Sequence, residues 1–301
     1  MHLLIPAANT SSEAPPLPHL EQLLRRMRPT ERIETDETSG STPFEMALAR
    51  ALGLPADAGR IPWAAHETQT IGTPCAFIQP CHWDVRTDHI RMSGPEVLEL
   101  DEPASREVMD AMAPYFAEDG ITLRYHRPHA WLATGEVFRT LPCASMERVR
   151  GRNIDAWMPA ASTQQGGALR RLQNEMQMLL YTHPLNDARA AKGLLPVNSF
   201  WITGAGVLTQ AVPAPADVVV ERRLSDAALA QEAGAYARAW QDVDTSQVQP
   251  LLLAAQRGER VQMTLCGERA AQTWSSDGVG RMQKFFNVLG LQPANNLRNQ
   301  L

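Results

Sequence analysis

An α/β fold with a mixed sheet flanked by helices is what this 301-residue sequence predicts, and three observations predict it. Short apolar runs of strand character (HLLI, CAFIQP, DVVV) alternate with stretches whose apolar residues recur every three or four positions. The helical stretches carry Thr, Asp or Asn at their starts and Gly at their stops. No internal repeat or low-complexity tract interrupts the alternation, so the expectation is a single α/β domain over 1–301, with an internal linker near 160–167.

Each element has its own reason. His2–Pro6 reads as a short buried strand, and the helix after PPLPHL, about Leu17–Met27, aligns Leu20, Leu23, Leu24 and Met27. Residues 28–42 are polar and turn-rich, which predicts a loop. Thr42 and Pro43 open a second helix as N-cap and first residue, ending before Gly53. Residues 54–73 look irregular. CAFIQP is a strand, followed by the polar CHWDVRTDHIRM. Asp101 and Pro103 start a helix bearing Val108, Met109, Met112, Tyr115 and Phe116, stopped at Gly120. ITLRYH and HAWLAT form a hairpin around Arg127–Pro128.

The next helix presents Leu169, Leu172, Met176, Leu179 and Leu180 on one face. Pro184 stops it near His183, and Asn186 is the expected N-cap of a short helix ending at Gly193. A strand begins near Val197. Further on come the strand DVVVE, a helix over about Ser225–Trp240, and the apolar segment PLLLAA. A hairpin turning at Gly267–Glu268 follows, and a last helix spans about 279–289.

Composition excludes several classes. The chain is 44% hydrophobic and 20% charged with a formal net charge of −5, so it has no basic footprint for nucleic acid. No apolar window is long enough for a membrane span. Cys75, Cys81, Cys143 and Cys266 show neither zinc-type nor disulfide-framework spacing, and the start MHLLIPAANT lacks a secretory leader. A cytoplasmic setting is the expectation.

The densest functional signal is THPLNDARAAKGLLPVNSFWITGAG. His183, Asn186, Arg189 and Asn198 are four polar groups that could converge on an anion, and Gly204 and Gly206 end a strand, where α/β proteins commonly place ligand contacts. The plainer alternative is that Asn186 caps, Gly193 terminates and the glycines turn the chain. As a dinucleotide fingerprint the glycine pair is weak, since Thr209 stands where a third small residue belongs. In the CHWDVRTDHI cluster, His82, Asp84, Asp88 and His89 are metal candidates, but Arg86 between the carboxylates also fits an ion-pair ladder. Arg148, Arg150, Arg152 and Asn153 in ERVRGRNIDAW could bind phosphate or carboxylate, or form a solvated charged face. No nucleophile elbow or phosphate loop is present.

The motif H-P-x-N-x-x-R-x-x-x-G-x-x-P-x-N followed by G-A-G resembles the central motif of the archaeal-type, cofactor-independent phosphoglycerate mutases of the alkaline phosphatase superfamily. The whole chain resembles the bacterial RpfE-type regulatory proteins, through MHLLIP, HW-x-V-x-x-DH, GRN-x-D-x-W and TLCGER. The resemblance implies a reduced alkaline-phosphatase-like domain. It also implies that His183, Asn186, Arg189, Asn198, Gly204 and Gly206, with Arg152 and Asn153, bind substrate.

The mutases hold two metal ions, with ligands that include an acidic D-G segment near the start and histidines near the end. This chain has no carboxylate before Glu13 and no histidine after His183. The expectation is therefore a mutase-like regulatory protein without catalysis or cofactor, binding a small phosphorylated or carboxylated metabolite and compatible with a protein partner. Two alternatives remain. One is an active phosphoglycerate mutase using manganese or magnesium, and the other is a protein-interaction module in which the motif is purely structural.

Overall fold

Eleven short segments of the computed structural model pair as strands among the described residues, which are 1–8, 15–87, 89–213, 217–230 and 234–277. In chain order they are β1 (His2–Ile5), β2 (Arg28–Glu34), β3 (Cys75–Cys81), β4 (Trp83–Val85), β5 (Ile90–Met92), β6 (Thr122–Arg127), β7 (Ala130–Thr134), β8 (Ser199–Gly206), β9 (Val218–Val220), β10 (Gln262–Cys266) and β11 (Ala270–Ser275). Helices interleave with them. These are α1 (Pro18–Leu24), α2 (Pro43–Ala51), α3 (Trp63–Thr68), α4 (Glu102–Glu118), α5 (Met146–Val149), α6 (Gln164–Tyr181), α7 (Pro184–Ala191), α8 (Arg223–Ala230), α9 (Ala235–Val243) and α10 (Gln249–Gln256). The class is α/β, as the alternation of patterns requires.

The residues cluster into two compact units. The first comprises Met1–Glu37, Thr42–Gly53 and the described residues from Pro213 onward; the second comprises Thr38–Ser41 and Leu54–Val212. The segment 160–167, expected to be a linker, lies inside the second unit. There Thr163 accepts a hydrogen bond from Gly166 N and caps α6, so the polar run is a helix start rather than a boundary.

The first unit is built on a mixed sheet in the order β2-β11-β10-β1-β9, with β1 parallel to both β10 and β9 and the other pairs antiparallel. Alternation along β1 sends Leu3 and Ile5 to one face and Leu4 to the other. Leu3 and Ile5 join Met263, Leu265 and Trp274 in a core closed by α1, α8, α9 and α10. Leu4 meets Phe44 and Ala47 of α2. Helices thus cover both faces of this sheet.

Three sequence expectations are corrected here. Residues 28–34 form edge strand β2 rather than loop; only Ile33 is buried, so pairing with β11 and not an apolar pattern makes the strand. Its Pro29 lies beside a register shift in β11, where a missing N–H is tolerated. The helix expected over 225–240 is two helices, and the second starts at Gly234 with φ +73°. Within the expected irregular stretch 54–73, α3 forms. The helix expected at 279–289 lies outside the described residues.

α1 lacks a local cap, since Leu17 offers no side-chain acceptor. Asp244 replaces it from far along the chain. Its carboxylate, 2% exposed, accepts from Leu20 N at 2.8 Å, His19 N at 3.2 Å and His19 Nδ1 at 2.9 Å. Asp244→Ala should therefore lower stability by about 3 kcal/mol, because buried donors at the α1 start lose their acceptor. Urea denaturation measures this, and an unchanged midpoint would contradict the capping role.

At the start of the sheet, His2 Nε2 lies 2.7 Å from Thr264 Oγ1, which in turn bonds Thr273 Oγ1. Burial pushes the His2 pKa below its ordinary value, reinforced by the N-terminal charge and opposed by Asp217 and Glu31. The unfolded chain therefore binds the proton more readily than the fold. This contribution to stability is complete above the ordinary histidine value of about 6.5 and is lost as pH falls below it. The stability slope on the acid side of about pH 6.5 should be shallower in His2→Gln than in the parent chain.

Candidate functional site

Everything around the sequence motif belongs to the second unit, whose antiparallel sheet runs β6-β7-β3-β8. One face of it packs on α4 and α6 through Ile78, Trp131, Phe200, Met112 and Met176. α6 ends at Tyr181 because Pro184 cannot continue it. His183 then caps α7, its Nδ1 accepting from Leu185 N at 3.2 Å, while Pro184 fills the first turn. Asn186, expected as this cap, instead lies inside α7 on the buried face with Leu185 and Arg189.

The polar groups of the motif are committed to peptide groups. Asn186 Nδ2 donates to Leu180 O at 2.7 Å and Val197 O at 2.8 Å, and its Oδ1 accepts from Val197 N at 2.9 Å. Arg189, 5% exposed, donates from Nε to Leu195 O at 2.8 Å and from a terminal nitrogen to Leu98 O. Burial lowers its pKa, against Asp101 and Glu99. His82 Nδ1 lies 2.9 Å from Pro196 O and, facing a carbonyl, must be the donor. Side chains from three places therefore hold the consecutive residues Leu195, Pro196 and Val197.

Asn198 completes the brace. Its Oδ1 accepts from Trp83 N at 2.7 Å and its Nδ2 donates to Trp83 O at 2.9 Å, so the amide pairs with the backbone as a neighbouring strand would. The sequence brought these residues together correctly in the chain, but their polar ends meet backbone and do not converge on one open space. Gly204 has φ +63°, and a Cβ there would lie 2.9 Å from both Ala64 N and Trp63 Cβ. At Gly206 a Cβ would meet Pro62 Cβ at 2.8 Å. Both glycines let α3 lie against β8.

The other candidates are dispersed too. Asp84 forms an ion pair with Arg86 at 2.7 Å, one rung of the ladder alternative. His89 is half-buried, and Asp88 lies outside the described residues. Among the described residues no group of three or more His, Cys, Asp and Glu is placed to hold a metal ion. The arginines of ERVRGRN do not line one strand, because 146–149 form the single turn α5. Arg148 is buried and donates to Ser41 O, and Arg150 pairs with Glu96 at 3.3 Å. Arg152 is half-buried, and Asn153 Oδ1 accepts from Asp155 N in a local turn.

A cleft of about 500 Å³ lies elsewhere in the same unit. It sits between the N-terminal turn of α6 (Thr163, Gln165, Gly166), the loop 140–144, the segment around Trp157 and the backbone at Gly40 and Gly59. The wall is closed where glycines cross: a Cβ on Gly40 would lie 2.8 Å from Gly59 Cα. Trp157 Nε1 donates to Thr38 O and Cys143 N to Gly59 O, both at 2.9 Å, fixing the lining segments to one another. Among the described residues Arg60 is the one charged side chain lining the cleft. It is exposed, and no acceptor among the described residues pairs with its guanidinium. The positive end of α6 adds to its field. The lining comes from segments without an apolar period, among them parts of 54–73 and 160–167, so no sequence pattern marks the cleft. The one signal was the recurrence of Gly and Pro at 53–62, as Gly53, Pro55, Gly59 and Pro62.

Comparison with known proteins adds fold likeness only. No protein family model matches the chain, and no curated protein matches it. Similar solved structures include a cofactor-independent phosphoglycerate mutase from Thermoplasma acidophilum DSM 1728, at 13% identity and a TM-score of 0.36, covering 99% of this chain and 98% of that one. Another is the PH0037 protein from Pyrococcus horikoshii, at 11% identity and a TM-score of 0.44, covering 94% and 89%. At such values neither likeness bears on activity.

Asn186→Ala should cost about 3 kcal/mol, since it strips partners from the buried peptide groups at Val197 and Leu180. Asn186→Asp keeps the acceptor for Val197 N but sets a charge against two carbonyls, and should be no better tolerated. Chemical denaturation reads both, and a loss confined to ligand binding with unchanged stability would restore a direct recognition role for Asn186.

Proposed function

We propose that this chain is a mutase-like regulatory protein that acts by binding and not by phosphoryl transfer, with its ligand in the cleft beside the α6 N-terminus. The cleft carries the reading, being a space of ligand size with one unpaired cation, Arg60, and no carboxylate on its walls among the described residues. The commitment of Asn186, Arg189 and Asn198 to peptide groups supports placing the ligand there instead of at the motif. The ligand class is a small acid, carboxylated or phosphorylated, because a guanidinium beside a helix start favours an anion.

A reducing, cytoplasmic setting belongs to the same proposal. None of the four cysteines is in a disulfide, and burial pushes the Cys75 thiol up to about 11 and the Cys81 thiol upward as well. No described helix is long and apolar enough to cross a membrane.

Thermal-shift titration with carboxylated and phosphorylated metabolites should raise the melting temperature of the parent chain. Arg60→Ala should lose most of that shift while its unliganded melting temperature stays unchanged. A coupled assay for interconversion of 3- and 2-phosphoglycerate, with manganese or magnesium added, should give no turnover. Sustained turnover would replace this reading with the catalytic one.

A further inference from the structure

Beside the cleft, and sharing Leu141–Ala144, Trp157 and Pro159 with it, lies a recess of about 10 Å³, room for one water-sized group. Trp201, Ile202 and Gln173 close its inner side. Gln173 stands on the inner face of α6 with Leu169, Leu172, Met176 and Leu180, where the helical period calls for an apolar residue. It is 2% exposed, and its Oε1 has no hydrogen-bond partner among the described residues. The two indoles on the recess cannot supply one, because Trp157 Nε1 donates to Thr38 O and Trp201 Nε1 to Ala144 O. A buried acceptor without a donor costs stability, so its place on an otherwise apolar stripe needs a reason.

We propose that Gln173 is the specificity determinant of the cleft, its Oε1 accepting a hydrogen bond from a hydroxyl or amide N–H of the ligand. This rests on the reading of the cleft as the binding site, and it adds the chemistry of the ligand's far end. No carboxylate among the described residues lines the recess, so an ammonium group would enter without a counter-charge, whereas a neutral donor meets an acceptor in an apolar enclosure. The ligand class is thus a compact acid that carries a neutral hydrogen-bond donor away from its acidic end. Indole, proline and leucine surfaces receive its body, and Arg60 receives the acid.

The test pairs 4-hydroxybenzoate with 4-methoxybenzoate, which keeps the acid and the ring but has no donor. Both are titrated by calorimetry into the full chain, Gln173→Met and Arg60→Ala. The hydroxy acid should bind the parent chain roughly tenfold more tightly, the scale of one buried acceptor left unpaired. In Gln173→Met the preference should vanish, while its melting temperature equals or exceeds that of the parent, since the substitution keeps volume and removes an unpaired acceptor. In Arg60→Ala both acids should weaken together and the preference should persist.

Equal binding of the two acids to the parent chain, or a preference that survives Gln173→Met, overturns the assignment and leaves the cleft reading standing. So does a crystal structure in which a water stays on Oε1 with 4-hydroxybenzoate bound. A large drop in the melting temperature of Gln173→Met also overturns it, because Oε1 would then serve the fold. Failure of both acids to bind the parent chain removes the assignment and the cleft reading together.

Discussion

One amide side chain holds together the part of the second unit on which the rest depends. Asn186 takes Leu180 O at the end of α6 with one hand and both peptide groups of Val197 with the other, just before β8 begins. α6 and β8 are the two elements that supply Gln173, Trp201 and Ile202 to the recess. Their mutual position is thus set by directional bonds of fixed length, whereas apolar packing alone would leave it free to slide. Arg189 and His82 repeat the device on Leu195 and Pro196, so three consecutive carbonyls of a loop with no regular hydrogen-bond ladder find side-chain donors.

This brace shows why a polar motif is an ambiguous signal. Asn, Arg and His offer the same donors to a phosphate oxygen as to a peptide carbonyl, and the spacing that gathers them on one helix face suits both. What separates the cases is where the carbonyls of the next loop lie, which no local pattern encodes. The glycines at 204 and 206 are ambiguous in the same way, since close approach of a ligand and close approach of α3 impose one steric demand.

The elements themselves were largely legible. Alternation in HLLI and the three-to-four spacing of Leu169, Leu172, Met176 and Leu180 reappear as a two-faced strand and an inward helix stripe. Thr42, Asp101 and Pro184 act at helix starts as their chemistry dictates. Illegible were features that depend on remote partners: β2, made by pairing with β11, and the α1 cap, supplied by Asp244. The cleft was illegible for a different reason. Its walls are Gly, Pro, Ala and Thr in loops, which follow no period, and its one charged residue looks in sequence like any surface arginine.

The path of the chain through the two units has a further consequence for synthesis. β1 precedes its sheet neighbours, Val218–Val220 and Gln262–Leu265, by more than two hundred residues. The continuous stretch 54–212, by contrast, contains all partners of its own sheet. Loop closure over more than two hundred residues is slow, whereas the internal hairpins close at once. The nascent chain therefore completes the cleft-bearing unit while the opening strand, Leu3–Ile5, is still an unpaired apolar segment. Until residues 218–265 are made, that strand lacks both of its sheet neighbours, and an unpaired apolar strand of this kind is open to misassembly.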